Sequence, residues 1–327
     1  MPESPTGFRY GGFRFDDDQS RWLHASSEAP SDVLGRPLRL ATLNCLHDLR
    51  DAELLQHDRR YDAILKELET LDADVIGLNE VTRTLLERVL REPWVRRSYT
   101  ASAITKPESS FGNLLLSKIA PVTIDYIEQP GDGRHSHVAT LDLSIDGRQL
   151  KVAVCSTHLT AFPYLMETRR MTQLAHLTST LATGGFDVAC VMGDFNFHRE
   201  AETSSIPEGW AELPAVVSLG PTWDLSRNAM LPHYLPLRNL YNGFGLGERF
   251  GWPSPMRLDR VLVRGAGATC DPGSARIFAD QPVHERARGR PPLPQTGREL
   301  SEAHRNLPWE EYLHPSDHFG IFFELKL

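Results

Sequence analysis

Residues 190–198 have the sequence CVMGDFNFH and pass directly from apolar side chains into an acid, an aromatic ring and an amide. The apolar part predicts a buried β-strand that ends near Asp194 and Asn196. Side chains two residues apart on a strand point to the same side of it. The stretch therefore predicts a carboxylate and a carboxamide held next to each other at the mouth of a core strand.

The predicted elements around this strand alternate between helices and strands. Apolar spacing predicts a strand ending at Asn44, an amphipathic helix over 54–71 and a second buried strand at 74–81. Residues 98–158 carry successive strand signals, and a helix is predicted at 165–181, just before the opening strand. Strands that alternate with helices in this way favour one α/β domain with mixed, largely antiparallel sheets.

The chain ends differ from this pattern. Residues 1–35 are rich in Gly, Pro, Ser and Asp without a clear period, which predicts a partly flexible N-terminal extension before a domain at 36–327. Residues 272–315 contain few helix or strand signals, and loops of that length usually serve a function or are disordered. The arginine-rich part of this loop, 284–298, has no role that the sequence assigns.

Composition excludes several classes of protein. A net charge of −8 is unlike that of proteins that coat nucleic acid by bulk electrostatics, yet it is compatible with an enzyme that concentrates acids around Mg²⁺. No apolar run approaches the roughly 20 residues that span a bilayer, and no signal peptide is predicted. The four cysteines form no CxxC pair, which argues against a zinc site. We therefore predict a cytoplasmic protein without a membrane partner.

Polar residues cluster at the ends of the predicted strands. These are Asn44, Glu80, His158, Asp194 with Asn196, Asp259, and Asp317 with His318. Each position alone has a structural explanation, because acids and amides often cap turns and a single histidine is usually structural. Together, however, they supply a complete set of groups for phosphoester chemistry.

Three of these residues are predicted to hold a metal ion. Mg²⁺ prefers oxygen ligands and retains several waters, so one or two carboxylates suffice. Glu80 and Asp317 are the predicted ligands, with Asn44 orienting Glu80 or a metal-bound water. Mn²⁺ is expected to substitute for Mg²⁺, and the sequence leaves open whether one ion or two act.

The other five residues are predicted to carry the reaction. Asp194 is placed to orient or deprotonate a water, while Asn196 and His158 would stabilise charge on the phosphoryl oxygens. His318 needs a partner that fixes its charge, and Asp259 is the best candidate. Asp194 is preferred as the general base, with His318 as the alternative.

The ordered motifs resemble the endonuclease/exonuclease/phosphatase superfamily. The motifs are LNCL, LNEV, THL, GDFN, LDRV and SDHFG, and the resemblance covers roughly residues 36–327. It implies a DNase I-like fold, which is a four-layered α/β sandwich of two packed mixed β-sheets flanked by helices. It also implies a metal-dependent phosphodiesterase or nuclease whose site lies where loops from the two sheets meet.

Within the superfamily, the segments PTWDL, MRLDRVLVR and HPSDHFGIFFEL are most similar to the tyrosyl-DNA phosphodiesterase 2 family. That resemblance implies that Trp223 holds a nucleic-acid end, a role weighed equally with packing in the core. It implies a phosphate contact for Arg134. The chain departs from the family at Asn79, Ala161 and His198, where the family has Gln, Ser and Arg, so His198 is a candidate substrate contact of a different kind.

These observations predict a Mg²⁺-dependent phosphodiesterase that acts at a DNA or RNA end, with 5′-phosphotyrosyl DNA adducts as the first candidate substrate. The alternatives are an RNA-end processing enzyme (a 2′,3′-cyclic phosphatase or a 3′ exonuclease resembling deadenylases) and a phosphatase for a small phosphoester. A non-catalytic nucleic-acid-binding protein ranks last, because no ligand-type residue is missing. We predict a monomer.

Overall fold

The computed structural model describes residues 11–25, 32–33, 35–49, 52–105, 110–145, 147–162, 166–231, 255–289 and 307–327. Their strands are β1 Phe13–Asp16, β2 Arg21–His24, β3 Asp32–Val33, β4 Leu38–Asn44, β5 Val75–Val81, β6 Thr100–Ala101, β7 Gly112–Ser117, β8 Thr123–Glu128, β9 His135–Ile145, β10 Arg148–His158, β11 Val188–Asp194, β12 Ala211–Glu212, β13 Asp259–Arg264, β14 Arg276–Phe278 and β15 Gly320–Leu325. The helices are α1 Ala52–Leu55, α2 His57–Leu71, α3 Arg83–Val89, α4 Pro93–Ser98, α5 Glu167–Thr183, α6 Glu200–Thr203 and α7 Pro214–Val217.

The described strands form two mixed β-sheets of eight and seven strands. The larger has the order β14-β15-β4-β5-β7-β6-β1-β2, and the smaller β12-β13-β11-β10-β9-β3 with β8 paired to β9. A core cluster that includes Leu40 and Val75 of the larger sheet and Val154 and Cys190 of the smaller lies between them. The two sheets therefore pack face to face, as the sequence predicted.

Helices cover both outer faces of this sandwich. The apolar face of α2, with Tyr61, Leu65 and Leu68, packs on the larger sheet. On the smaller sheet, α5 packs through Leu174 and Leu177. These residues recur three and four positions apart, which is the spacing that places side chains on one face of a helix. Helix, sheet, sheet and helix are the four layers of the DNase I-like sandwich.

Several elements differ from the predictions. Helix α4, which the sequence analysis did not predict, begins at Pro93, because proline fits the first turn of a helix where no N–H bond is lost. Strand β14 lies in the segment predicted to be loop and pairs with β15. On the N-terminal side of the predicted boundary at residue 36, β1 pairs with β6 and β2 pairs with β1. The boundary itself stays a prediction, and residues 290–298 of the arginine-rich loop lie outside the described residues.

The register of the central strands brings the predicted site residues together. His158 is paired with Asp194 across β10 and β11, and Asp194 is paired with Asp259 across β11 and β13. In the other sheet, Asn44 of β4 is paired with Asn79 of β5. The ends of these strands therefore form one polar edge where the two sheets meet.

Gly193, the residue before Asp194, is required by this close approach. Its φ is 142°, and a Cβ atom there would lie 1.9 Å from the carbonyl oxygen of Thr157. A side chain at this position must therefore push β10 and β11 apart at the level of His158 and Asp194.

We expect Gly193→Ala to lower the free energy of unfolding by about 3 kcal/mol, from backbone strain and overpacking together. Gly185→Ala is the matched control, because Gly185 also has a positive φ of 70° but a Cβ there meets nothing within 4 Å. Urea denaturation of both variants measures the difference, and equal losses of stability would contradict the steric argument.

Candidate active site

The site is centred on Asp194, which lies at the junction of the two sheets. Asn44 of the larger sheet donates from Nδ2 to Asp194 Oδ2 at 2.9 Å and to Glu80 Oε1 at 3.2 Å. Asn79 accepts the backbone N–H of Asp194 at 3.0 Å through its Oδ1. All four side chains are buried, so these bonds fix the Asp194 carboxylate against the neighbouring sheet.

Asn196 contacts Asp194 through a turn that follows the strand. Strand β11 ends at Asp194, and Asn196 has a φ of 51°, in the left-handed region that asparagine tolerates better than most residues. Its backbone N–H donates to Asp194 Oδ1 at 2.8 Å, and its Nδ2 donates to Asp194 Oδ2 at 3.0 Å and to Leu159 O at 3.1 Å. Proximity therefore comes from this turn and not from a shared side of the strand. In this arrangement Asn196 orients Asp194, and its contact with a phosphoryl oxygen stays a prediction.

His318 bonds to the partner that the sequence proposed. Its Nδ1 lies 2.8 Å from Asp259 Oδ2, and its Nε2 lies 3.8 Å from Asp194 Oδ2. Burial opposes the charged form of the ring, but the nearby carboxylates of Asp259, Asp194 and Asp317 outweigh it and raise the pKa of His318 to about 10. His318 is therefore an imidazolium at neutral pH.

His158 is held in the opposite protonation state. Burial and then the charge of Arg134 lower the pKa of His158 to about 3, so its ring is neutral. Arg134 Nη1 lies 3.1 Å from His158 Nδ1, which makes Nδ1 the acceptor and leaves the proton on Nε2. That nitrogen is 3.5 Å from Asp194 Oδ2 and makes no hydrogen bond with the described residues.

Arg134 reaches His158 because Asp132 holds it there. The Arg134 guanidinium donates to Asp132 Oδ2 from Nη2 at 2.7 Å and from Nε at 3.1 Å. Asp132 also accepts from Thr160 Oγ1 at 2.7 Å and from Gln173 Nε2 at 3.0 Å. The structure thus places Arg134 beside His158, and it adds Asp132, which the sequence analysis did not identify.

The predicted metal ligands are Glu80, which Asn44 contacts, and Asp317. Glu80 occupies a register shift of β5, has a φ of 57°, and accepts the His47 backbone N–H at Oε2 at 3.0 Å. Asp317 is buried and lies 3.4 Å from Ser316 Oγ through its Oδ1. Asn44 directs its amide nitrogen at Glu80, while its Oδ1 accepts the Leu46 N–H at 3.1 Å. Two roles were predicted for Asn44, orienting Glu80 or orienting a metal-bound water. The structure describes the first of them.

The charge of the site fits a divalent cation. Glu80, Asp194, Asp259 and Asp317 are all buried, and the positively charged ring of His318 lies beside the last three. Burial raises the pKa of Asp194 to about 6, against the lowering effects of His318 and Asn44. Buried carboxylates are costly unless a cation or hydrogen bonds compensate them, and oxygen ligands match a hard dication.

Trp223 and His198 are the remaining predicted substrate contacts. Trp223 is 3% exposed and packs in a core cluster with Leu46 and Tyr312. Of the two roles that the sequence analysis considered for Trp223, the structure describes packing in the core. His198 is half-buried, and its Nδ1 lies 3.3 Å from Met256 Sδ. Substrate contacts by either residue stay predictions.

An aromatic side chain that the sequence analysis did not identify flanks the site. The Phe111 ring is stacked on His47 at 5.0 Å between centroids and on His158 at 6.1 Å, with interplanar angles of 18° and 29°. Phe111 directly precedes the GNLLLS strand. An aromatic residue at the start of a strand is the sequence feature that could have identified it. It joins the His47 loop beside Glu80 to His158.

Fold and site together define a DNase I-like sandwich with a metal-dependent phosphoester site. The model of the Endonuclease/Exonuclease/phosphatase family matches residues 41–318, and the chain belongs to that family. The chain is therefore a metal-dependent enzyme that hydrolyses phosphoesters, as predicted. No curated protein sequence matches the chain. No helix in the described ranges is both long and apolar enough to cross a bilayer.

Solved structures share the fold at low sequence identity. TDP2 of D. rerio, in a complex with a single-strand DNA product, aligns with a TM-score of 0.57 at 14% identity, over 89% of this chain and 99% of that one. Truncated TDP2 of Caenorhabditis elegans gives 0.56 at 19% identity, over 88% and 97%. An endonuclease/exonuclease/phosphatase of Bacteroides vulgatus gives 0.55 at 15% identity, over 89% and 98%.

The Asp259–His318 contact makes a direct prediction about protonation. Asp259→Asn removes the charge nearest to Nδ1, so the pKa of His318 should fall from about 10 towards its ordinary range of about 6.5. An NMR pH titration that follows the ring signals of His318 in the whole chain measures this shift. Asp62→Asn is the control, because the Asp62 side chain is 74% exposed on α2 and lies outside the site. An unchanged titration in Asp259→Asn would contradict the assigned partnership.

Proposed function

We propose that this protein is a phosphodiesterase that acts at a nucleic-acid end, with 5′-phosphotyrosyl DNA as the first candidate substrate. The observation that carries the proposal is the position of one carboxylate oxygen, Asp194 Oδ2, which lies 3.5 Å from His158 Nε2 and 3.8 Å from His318 Nε2. One imidazole is neutral and the other charged. The Asp194 carboxylate thus lies beside one neutral and one positively charged imidazole N–H.

Asp194 acts as the general base of the proposed reaction. The charged His318 ring has no lone pair to accept a proton, which leaves Asp194 as the better of the two candidates. Asp194 orients a water and takes its proton, and the water attacks phosphorus in line with the leaving oxygen, without a covalent enzyme intermediate. Asn44 and Asn196 keep the carboxylate in the required orientation.

The two histidines stabilise the negative charge that grows on the phosphoryl oxygens. His158 directs an N–H that has no hydrogen-bond acceptor among the described residues, and Asp259 keeps His318 positively charged. Arg134 fixes the tautomer of His158 and adds a positive charge beside the phosphate. These donors are held by bonds within the protein, so little reorganisation is needed when charge develops.

Glu80 and Asp317 are the residues that would hold Mg²⁺ or Mn²⁺, with Asn44 orienting Glu80. When bound, such a cation polarises a phosphoryl oxygen and stabilises the leaving oxygen. The oxygen donors and the surplus of buried negative charge support this assignment. The choice of Mg²⁺ over Mn²⁺ is part of the proposal.

A nucleic-acid substrate is supported by the shared fold and by the motifs around Trp223 and Asp259. The D. rerio TDP2 structure is described as a complex with a single-strand DNA product. The chain departs from the family at Asn79, Ala161 and His198 while the reacting groups are kept, so an RNA end is kept as a second candidate substrate. A cytoplasmic location and a monomeric state are further parts of the proposal.

The catalytic assignment predicts that Asp194→Asn and Glu80→Gln each reduce Mg²⁺-dependent hydrolysis by roughly 10³-fold or more, because each removes a charge that acts directly in the reaction. Glu87→Gln is the control, since Glu87 is half-exposed on α3 and pairs with Arg83. Circular dichroism verifies that the variants are folded. Wild-type rates in either site variant would refute the assignment.

The substrate is tested by a matched panel on the wild-type chain. It contains single-stranded DNA with a 5′-phosphotyrosine, RNA with a 2′,3′-cyclic phosphate, and unmodified DNA and RNA of the same sequence. The proposal expects the fastest turnover on the phosphotyrosyl DNA. Preference for the cyclic-phosphate RNA would establish the second candidate, and equal rates on DNA and RNA would show that the 2′-hydroxyl is not recognised.

A further inference from the structure

Among the described residues, the two largest side chains that are fully buried are arginines, Arg60 and Arg170, and each bonds to a loop of the site. Arg60 lies on α2, on the face turned to the larger sheet, and Arg170 lies on α5, on the face turned to the smaller sheet. A buried guanidinium is costly unless its N–H groups are bonded. Their partners therefore indicate what each arginine holds in place.

Arg60 bonds to two separate loops that carry predicted metal-site residues. Its Nη1 donates to Cys45 O at 3.0 Å and to Pro315 O at 2.9 Å, and its Nη2 donates to Leu46 O at 3.0 Å. Cys45 and Leu46 directly follow Asn44, and Pro315 is two residues before Asp317. One guanidinium thus joins the segment after Asn44 to Pro315, which lies 255 residues after Arg60 in the chain.

Ser316 makes a second connection between the same two loops. Its Oγ donates to Asn44 O at 2.5 Å and also accepts the His318 backbone N–H at 3.2 Å. We call the Arg60 guanidinium and the Ser316 hydroxyl, with the carbonyls that they bond, the loop clamp. It ties the residue that orients Glu80 to the residue that carries the second carboxylate.

We infer that the loop clamp positions Asn44, and through it Glu80, against Asp317 for binding a divalent cation. This inference rests on the proposed function. Two buried carboxylates repel each other, so their loops tend to separate unless other bonds hold them. Arg60 supplies planar, fixed donors to carbonyls on both loops, and a lysine ammonium cannot reproduce that geometry from a single point. Arg60 and Ser316 are positioning residues, because neither is proposed to touch the substrate or the cation.

Arg170 provides the comparison because it is buried equally but holds other loops. Its Nε bonds to Glu202 Oε1 at 2.6 Å, and its Nη1 bonds to Phe162 O at 2.8 Å and Thr160 O at 3.2 Å. These partners follow His158 and Asn196 in the chain, and none of them belongs to the loops that Arg60 bonds. A change at Arg170 should therefore disturb the phosphoryl-binding side and leave the metal loops in place.

The test measures the affinity of the full-length chain for Mn²⁺ by calorimetry, alongside thermal unfolding, for the wild type, Arg60→Lys, Ser316→Ala and Arg170→Lys. We expect Arg60→Lys and Ser316→Ala to weaken Mn²⁺ binding by roughly 10-fold or more, which is the usual effect of losing an outer support of a metal site. Their hydrolysis rates should recover at saturating Mn²⁺. Arg170→Lys should keep the wild-type affinity for Mn²⁺, with hydrolysis that added Mn²⁺ does not restore.

Three outcomes would decide against the clamp or the function. Wild-type affinity in Ser316→Ala, or in folded Arg60→Lys, would overturn the clamp, and Ser316→Ala keeps this test available if Arg60→Lys does not fold. An equal loss of affinity in Arg170→Lys would also overturn it, because the effect would then follow general destabilisation. A wild-type chain that binds no Mn²⁺ would instead overturn the proposed function itself.

Discussion

The burial of four carboxylates around one imidazolium is the constraint on which the arrangement of this molecule depends. Glu80, Asp194, Asp259 and Asp317 are withdrawn from water at the edge where the two sheets meet. The negative charges of Asp259, Asp194 and Asp317 raise the pKa of His318 to about 10, and burial raises that of Asp194 to about 6. The surrounding asparagines, backbone N–H groups and buried arginines hold this charged cluster in one geometry. A divalent cation is the natural complement of such a site.

The site needs both sheets because neither sheet alone supplies all of its polar side chains. The register of the smaller sheet places His158, Asp194 and Asp259 side by side. The larger sheet contributes Asn44, whose amide crosses to Asp194, and Glu80 beyond it. The sandwich therefore brings groups from both sheets to one edge, where the amide of Asn44 bonds to both Asp194 and Glu80.

Much of the fold and the reacting groups could be predicted from sequence, because apolar strands that end in polar residues leave a local pattern. The core strands and the Asp259–His318 partnership follow from such patterns. Short strands such as β14 could not be predicted, since their pairing with β15 is tertiary. Asp132 and Arg60 were missed for a related reason: each looks like an ordinary surface charge until the fold brings its distant partners to it. The burial of Trp223 could not be predicted either, because several of the side chains in its core cluster are distant from it in the sequence.

The central claim is that this carboxylate cluster forms a metal-dependent site for phosphodiester hydrolysis. The most direct measurement is the hydrolysis of bis(p-nitrophenyl) phosphate by the full-length chain, after removal of metal with EDTA and after addition of Mg²⁺ or Mn²⁺. Hydrolysis of this small diester requires the residues that carry out the reaction but not those that recognise a nucleic acid. The account predicts that hydrolysis is lost without metal and rises in a saturable way as either cation is added. An unchanged rate without metal, or no hydrolysis with it, would contradict the account.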